Sequence, residues 1–176
     1  MATIGTPNYF STYKLSDNSL LNINVLDTAG QEIFRSMNES YYKKADCCIL
    51  VYDITNREEF NEIKEYFIER IRERCKKNVK VILVGNKTDL ERNRKISYNE
   101  GANLAFLNNF LFIETSCLKN ENAYEAFEKI IGIYRLSYKN NEENIKEKII
   151  FKRNKIILLD LSNKKYINRL SNYLNK

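Results

Sequence analysis

The sequence predicts a three-layer α/β sandwich built on a mainly parallel sheet. Three observations carry this. Short continuous apolar runs recur along the chain, as in strands covered on both faces. Stretches with apolar residues at helical spacing lie between them. Polar motifs follow directly on several runs, and open α/β sheets bind ligands at the carboxyl ends of their strands. The 176 residues suffice for one domain with a sizeable core rather than two.

In chain order, "NYFSTYKL" (8–15) and "LLNINVLD" (20–27) read as an antiparallel hairpin joined by "SDNS". "CCILVYDI" (47–54), "KVILVG" (80–85) and "FLFIET" (110–115) read as the buried parallel strands. Phe60, Ile63, Phe67 and Ile71 mark a helix after the first of these, with Thr55 and Glu58 in a capping-box pattern. Ser97 and Glu100 repeat that pattern before "GANLAFL", and Ala126, Phe127, Ile130 and Tyr134 mark a third helix over roughly 122–136. Cys47 and Cys48 are adjacent on a strand and face opposite ways, so they read as packing residues, like Tyr41 and Tyr42.

Composition narrows the chemistry. The chain contains no histidine, which excludes His-based catalysis and His-ligated zinc. Its four cysteines show no CxxC or metal-like spacing and read as buried thiols of a reducing compartment. No apolar run approaches the roughly 20 residues of a membrane span. Residues 1–136 carry 19 basic and 19 acidic side chains, and residues 137–176 carry 10 and 4, so the net +6 lies entirely in the tail. Such a tail suits an anionic surface or a solvated segment equally in kind. With no aromatic stacking platform beyond Phe151, Tyr166 and Tyr173, a nucleic-acid partner is not expected.

The strand ends carry the candidate site. In "DTAG", Asp27 is a carboxylate suited to Mg²⁺, and Gly30 offers an amide that approaches phosphate unobstructed; a capped turn is the structural alternative. Gln31 has the groups to orient an attacking water. In "NKTD", Asn86 can bond a purine edge, Lys87 can lie over the ring, and Asp89 can accept from guanine N1 and N2, a donor pair adenine lacks; an Asx turn is the alternative. In "ETSCL", Ser116 follows a strand and an amide near Cys117 can face guanine O6. Thr3 is the remaining hydroxyl candidate for a metal.

The ordered set "TIG…DTAGQE…NKTD…ETSC" closely resembles the Ras-like small GTPases, and "SYYKKA", "FRSM" and "YDIT" are most similar to the Rab branch, from Thr3 to about Tyr134. The resemblance implies a P-loop NTPase-like (small G protein) fold and a GTP/GDP switch that hydrolyses GTP with Mg²⁺ in vesicle traffic. It implies Thr3 on Mg²⁺ and the γ-phosphate, Asp27 on the Mg²⁺ hydration shell, Gly30 on the γ-phosphate and Gln31 on the hydrolytic water. Asn86, Lys87 and Asp89 would bind guanine, supported by Ser116 and Cys117, and residues 28–42 would form switch II. The partners implied are the guanine nucleotide, effector proteins, an exchange factor and an activating protein. The location implied is cytoplasmic, peripheral on endomembranes where the protein attaches at all.

Several positions depart from the family pattern. No strand, GxxxxGK[ST] loop and helix precede Thr3, so the expectation is an N-terminally incomplete G domain over 1–136 with weakened nucleotide binding. Pro7 removes an amide near switch I, Leu26 stands where Rabs carry an interswitch tryptophan, and "SCL" replaces "SAK", placing Leu118 where a lysine is common. The ending "NYLNK" contains no prenylation cysteine. The tail segment "NKIILLDLSNKKYINRL" (154–170) reads as strand, polar loop and amphipathic helix, with Ile156–Leu159 as the strand and Lys164 or Lys165 as a loop lysine. It can supply a central strand in a circular permutant, begin a second G domain of a tandem GTPase, or be an unrelated basic helix in a truncated chain. A non-catalytic interaction module is the functional alternative.

Overall fold

In the computed structural model, residues 8–14, 20–27, 42–138, 148–149 and 157–160 are described, and the fold below is that of these residues. Strands β1 (Asn8–Lys14) and β2 (Leu20–Asp27) form the expected antiparallel hairpin, in register from Asn8↔Leu26 to Lys14↔Leu20. Strands β3 (Cys47–Asp53), β4 (Lys80–Asn86) and β5 (Leu111–Thr115) are parallel, as their continuous apolar runs require. Helix α1 follows β3 in three continuous pieces, Arg57–Glu62, a π turn at Ile63–Phe67, and Ile68–Arg74. Helix α2 spans Tyr98–Leu107 and α3 spans Ala123–Tyr138.

Alternation on the strands makes the three layers. Cys48, Leu50, Tyr52 and Leu83 face α1 and α2, packing with Phe60, Ile63, Ile68, Ile71 and Ala105. Cys47, Ile49, Ile82, Val84 and Ile113 face the other way onto Phe127, Ile130, Ile131 and Tyr134 of α3. The neighbouring cysteines therefore belong to opposite core layers. Gly101 admits the close approach of α2 to the sheet, because a β-carbon there would fall 2.6 Å from Cζ of Phe112.

The cap of α1 corrects one expectation. Its N-cap is Asn56, not Thr55, and Asn56 Oδ1 accepts from the amides of Glu58 (3.1 Å) and Glu59 (3.3 Å). Thr55 is drawn away by a carboxylate, giving its amide (2.8 Å) and hydroxyl (2.7 Å) to Asp53 Oδ1. At α2 the expected capping box is present, with the Ser97 hydroxyl accepting from the Glu100 amide and the Glu100 carboxylate accepting from the Ser97 amide at 2.9 Å.

The sheet runs β1-β2-β7-β3-β4-β5, where β7 is Ile157–Asp160 and pairs also with the short β6 (Lys148–Ile149). The tail thus contributes a central strand, displaced one residue from the Ile156–Leu159 run that the sequence indicates. Its direction is informative. β7 is antiparallel to both neighbours, in register from Asn24↔Asp160 to Asp27↔Ile157 and from Cys47↔Leu159 to Ile49↔Ile157. The strand therefore ends at the amino-terminal edge of β3, the edge of the sheet away from Asn86. A strand leading into a phosphate loop would run parallel to β3 and end at the other edge, and β7 does not have that direction. Lys164 and Lys165 lie outside the described residues.

Two measurements test this packing. Ile130→Ala removes a fully buried side chain and should cost about 2–5 kcal/mol in urea denaturation, whereas Leu118→Ala, at an 83% exposed position, should stay within about 0.5 kcal/mol. Leu159→Cys should form an oxidative cross-link to Cys47, and Ile157→Cys should not, because the antiparallel register pairs Leu159 with Cys47.

Candidate functional site

One rung of the sheet assembles the site. The parallel register sets Asp53, Asn86 and Thr115 side by side at the carboxyl ends of β3, β4 and β5. The backbone continues the alignment, with the Ile54 amide donating to the Asn86 carbonyl at 3.0 Å. Asn86 Oδ1 then accepts from the Thr115 hydroxyl at 3.0 Å and from the Cys117 amide at 3.3 Å. Oδ1 is thus committed within the protein, and Nδ2 is the donor that faces the Cys117 thiol.

The residues after Asn86 turn sharply. Lys87 takes the left-handed conformation (φ 69°, ψ 41°), and its carbonyl accepts from the Leu90 amide at 2.9 Å, opening a 3₁₀ segment over Thr88–Asn93. Asp89 is held by the fully buried Ser116, whose hydroxyl donates to Asp89 Oδ1 and accepts from the Lys119 amide at 3.2 Å. On the other side, the Lys87 ammonium reaches back to Asp53 Oδ2 at 2.6 Å.

Electrostatics follow from these contacts. Burial pushes the Asp53 carboxyl upward, but hydrogen bonds from Lys87 and from the Thr55 amide and hydroxyl outweigh it, so the carboxyl titrates below its ordinary value. The hydrogen bond to Asp53 raises Lys87 above its ordinary range, against a smaller effect of burial. The pair therefore adds stability above the ordinary Asp53 value that is lost as pH falls below it, and below the ordinary Lys87 value that is lost as pH rises above it. The pair is intact at neutral pH. Burial raises the Cys117 thiol above its ordinary value, against a lowering hydrogen bond from Asn86.

A second ion pair braces the loop from behind. Arg94 is bidentate to Glu114 on β5 (2.7 and 2.8 Å), bonds Glu91 at 2.7 Å, and donates to the Ile96 carbonyl at 2.9 Å. Both Arg94 and Glu114 are mostly buried, and the hydrogen bonds that Arg94 donates to Glu114 and Glu91 raise the guanidinium pKa further.

The structure therefore brings together Asn86, Lys87, Asp89, Ser116 and Cys117. The Cys117 amide, expected to face a ligand, is given to Asn86. Asp27 closes β2, and its partner Ile157 pairs with Ile49, so Asp27 lies level with Ile49 rather than with Asp53. Thr3, Gly30, Gln31 and most of residues 28–42 lie outside the described residues. Among the described residues no cluster of three or more His, Cys, Asp or Glu could hold a metal, and no helix is long and apolar enough to cross a membrane. Sequence reasoning missed Asp53 and Thr115. Asp53 follows a strand just as Asp27 does, and the same positional rule would have found it.

Comparison with known proteins places the chain. The model described as Ras family matches residues 1–135. Ras-related protein Rab-11B of Dictyostelium discoideum is 38% identical over 141 residues, covering 80% of this chain and 63% of that protein. RABA6a of Arabidopsis thaliana is 40% identical over 130 residues, covering 74% and 55%. Human Rab-4A is 43% identical over 105 residues, covering 60% and 48%. The chain thus spans roughly half to two-thirds of the length of these relatives.

Removing the brace has a defined cost. Arg94→Leu leaves the Glu114 carboxylate largely buried without its guanidinium and should destabilise by about 3 kcal/mol in thermal or urea unfolding at neutral pH. Restoring neutrality with Glu114→Gln in the same chain should recover part of that loss.

Proposed function

Because the chain belongs to the Ras family, with Rab proteins as its relatives, we propose that it is a guanine-nucleotide-binding switch acting in vesicle traffic. The single observation that supports this best is the pairing of Asp89 with Ser116 beside an Asn86 whose Oδ1 is already committed. Asp89 is held to accept from guanine N1–H and the N2 amino group. Asn86 Nδ2, a two-proton donor shared with the Cys117 thiol, is proposed to give its second N–H to N7. Adenine presents neither donor in that arrangement, so the carboxylate selects the base.

GTP hydrolysis belongs to the same proposal. Gln31 would orient the attacking water, Gly30 would supply an amide for the γ-phosphate, and Thr3 and Asp27 would hold Mg²⁺. The metal held there would supply charge neutralisation for the phosphates. Effector proteins, an exchange factor and an activating protein are the proposed partners, and cytoplasm with peripheral endomembrane contact is the proposed place. The 176 residues contain no GxxxxGK[ST] sequence, the usual source of amides and a lysine around the phosphates. Residues 1–176 taken by themselves are proposed to bind nucleotide more weakly than relatives with that loop. The direction of β7 favours one alternative, a non-catalytic interaction module, because the strand beside β3 does not end at the nucleotide edge.

Titration of the chain with fluorescent GDP and GTP, with and without Mg²⁺ and against fluorescent ATP, tests the proposal. Guanine nucleotides should bind and ATP should not. Asp89→Asn replaces the acceptor by an amide whose N–H suits the C2 carbonyl of xanthine, so preference should turn from GDP to XDP by at least about tenfold. A folded protein with no guanine preference would leave the interaction module as the better account.

A further inference from the structure

The Lys87–Asp53 bridge carries an inference that rests on the guanine-site reading and deepens it. Lys87 has three carboxylates to choose from. It bonds Asp53, while Glu59 and Asp89 are both near enough to act on its ammonium. Asp89 is the group that must accept from the base, and an ammonium seated on it would occupy the lone pairs the base requires. The choice is therefore consequential for recognition.

We propose that Asp53 is a positioning residue for base recognition, holding the Lys87 ammonium on the β3 side so that Asp89 stays open to guanine. The geometry is built for this. Asp53 is registered directly opposite Asn86, the residue before Lys87. One of its oxygens is fixed by the Thr55 amide and hydroxyl at 2.8 and 2.7 Å, leaving the other for Lys87 at 2.6 Å. Its own amide donates to Glu59 Oε2 at 3.2 Å, which draws that competing carboxylate toward the backbone of β3. The left-handed backbone of Lys87 starts the side chain on its return across the ends of β4 and β3, away from Asp89 and Ser116 on the β5 side. The aliphatic stem, anchored at its far end, then forms a fixed wall for the purine ring.

Substitutions on the full chain test this. Asp53→Asn keeps the shape and removes the charge that holds the lysine; GDP affinity should fall about tenfold. Lys87→Met added to Asp53→Asn keeps the stem and removes the ammonium that would migrate to Asp89, so affinity should recover by about fivefold over Asp53→Asn alone. A role confined to fold stability would not give such a rescue, because the double variant lacks the bridge as completely as the single one. Undiminished GDP binding by Asp53→Asn, or no recovery in the double variant, overturns the proposal. Wild-type protein that is folded but binds no guanine nucleotide overturns the base-site reading and this proposal with it. NMR of the Lys87 side chain separates the two: a titration above the ordinary lysine range in the wild type, falling in Asp53→Asn, confirms the anchor independently of any ligand.

Discussion

Everything at the site depends on the register of three parallel strands. Asp53, Asn86 and Thr115 occupy one rung, and a slip of one residue would turn each side chain to the opposite face of the sheet. The two core layers enforce that register. Alternate residues of β3 and β4 are committed to α1 and α2 on one side and to α3 on the other, so no slip is possible without burying the wrong set. Precision in the polar rung is thus inherited from apolar packing beneath it.

From that rung outward, each polar contact removes a degree of freedom from the next. Thr115 and the Cys117 amide fix Asn86, Ser116 fixes Asp89, and Asp53 fixes Lys87. The Arg94 clamp joins the 3₁₀ segment to β5, so the loop bearing Asp89 and the strand leading to Ser116 move as one body. Preorganisation of this kind lowers the ordering cost of binding. The polar groups of the rung are thus held by contacts within the protein itself.

Much of this was legible in the sequence. Apolar runs revealed β1 to β5, and periodicity revealed the helices, because burial on one or two faces leaves a period in the residue order. Asn86, Lys87, Asp89, Ser116 and Cys117 were legible because their motifs follow strand ends. Asn56 as the cap of α1 was not, since Thr55 fits the pattern equally well and only the carboxylate of Asp53 decides between them. Nor was the direction of β7, because a four-residue apolar strand reads alike both ways and only its neighbours fix its sense. Asp53 ends a strand as Asp27 does and was open to the same rule, but its bridge to Lys87 joins residues far apart in sequence, which no local pattern records.

The central claim is that the last rung of β3, β4 and β5 carries a guanine-reading surface. Amide chemical shifts recorded by NMR while GDP or ADP is added would test it most directly. With GDP, the largest changes should fall on residues 86–90 and 116–119, including the Cys117 amide now given to Asn86, and ADP should leave them in place. Equal responses to the two nucleotides, or changes confined to other parts of the sheet, would contradict the account.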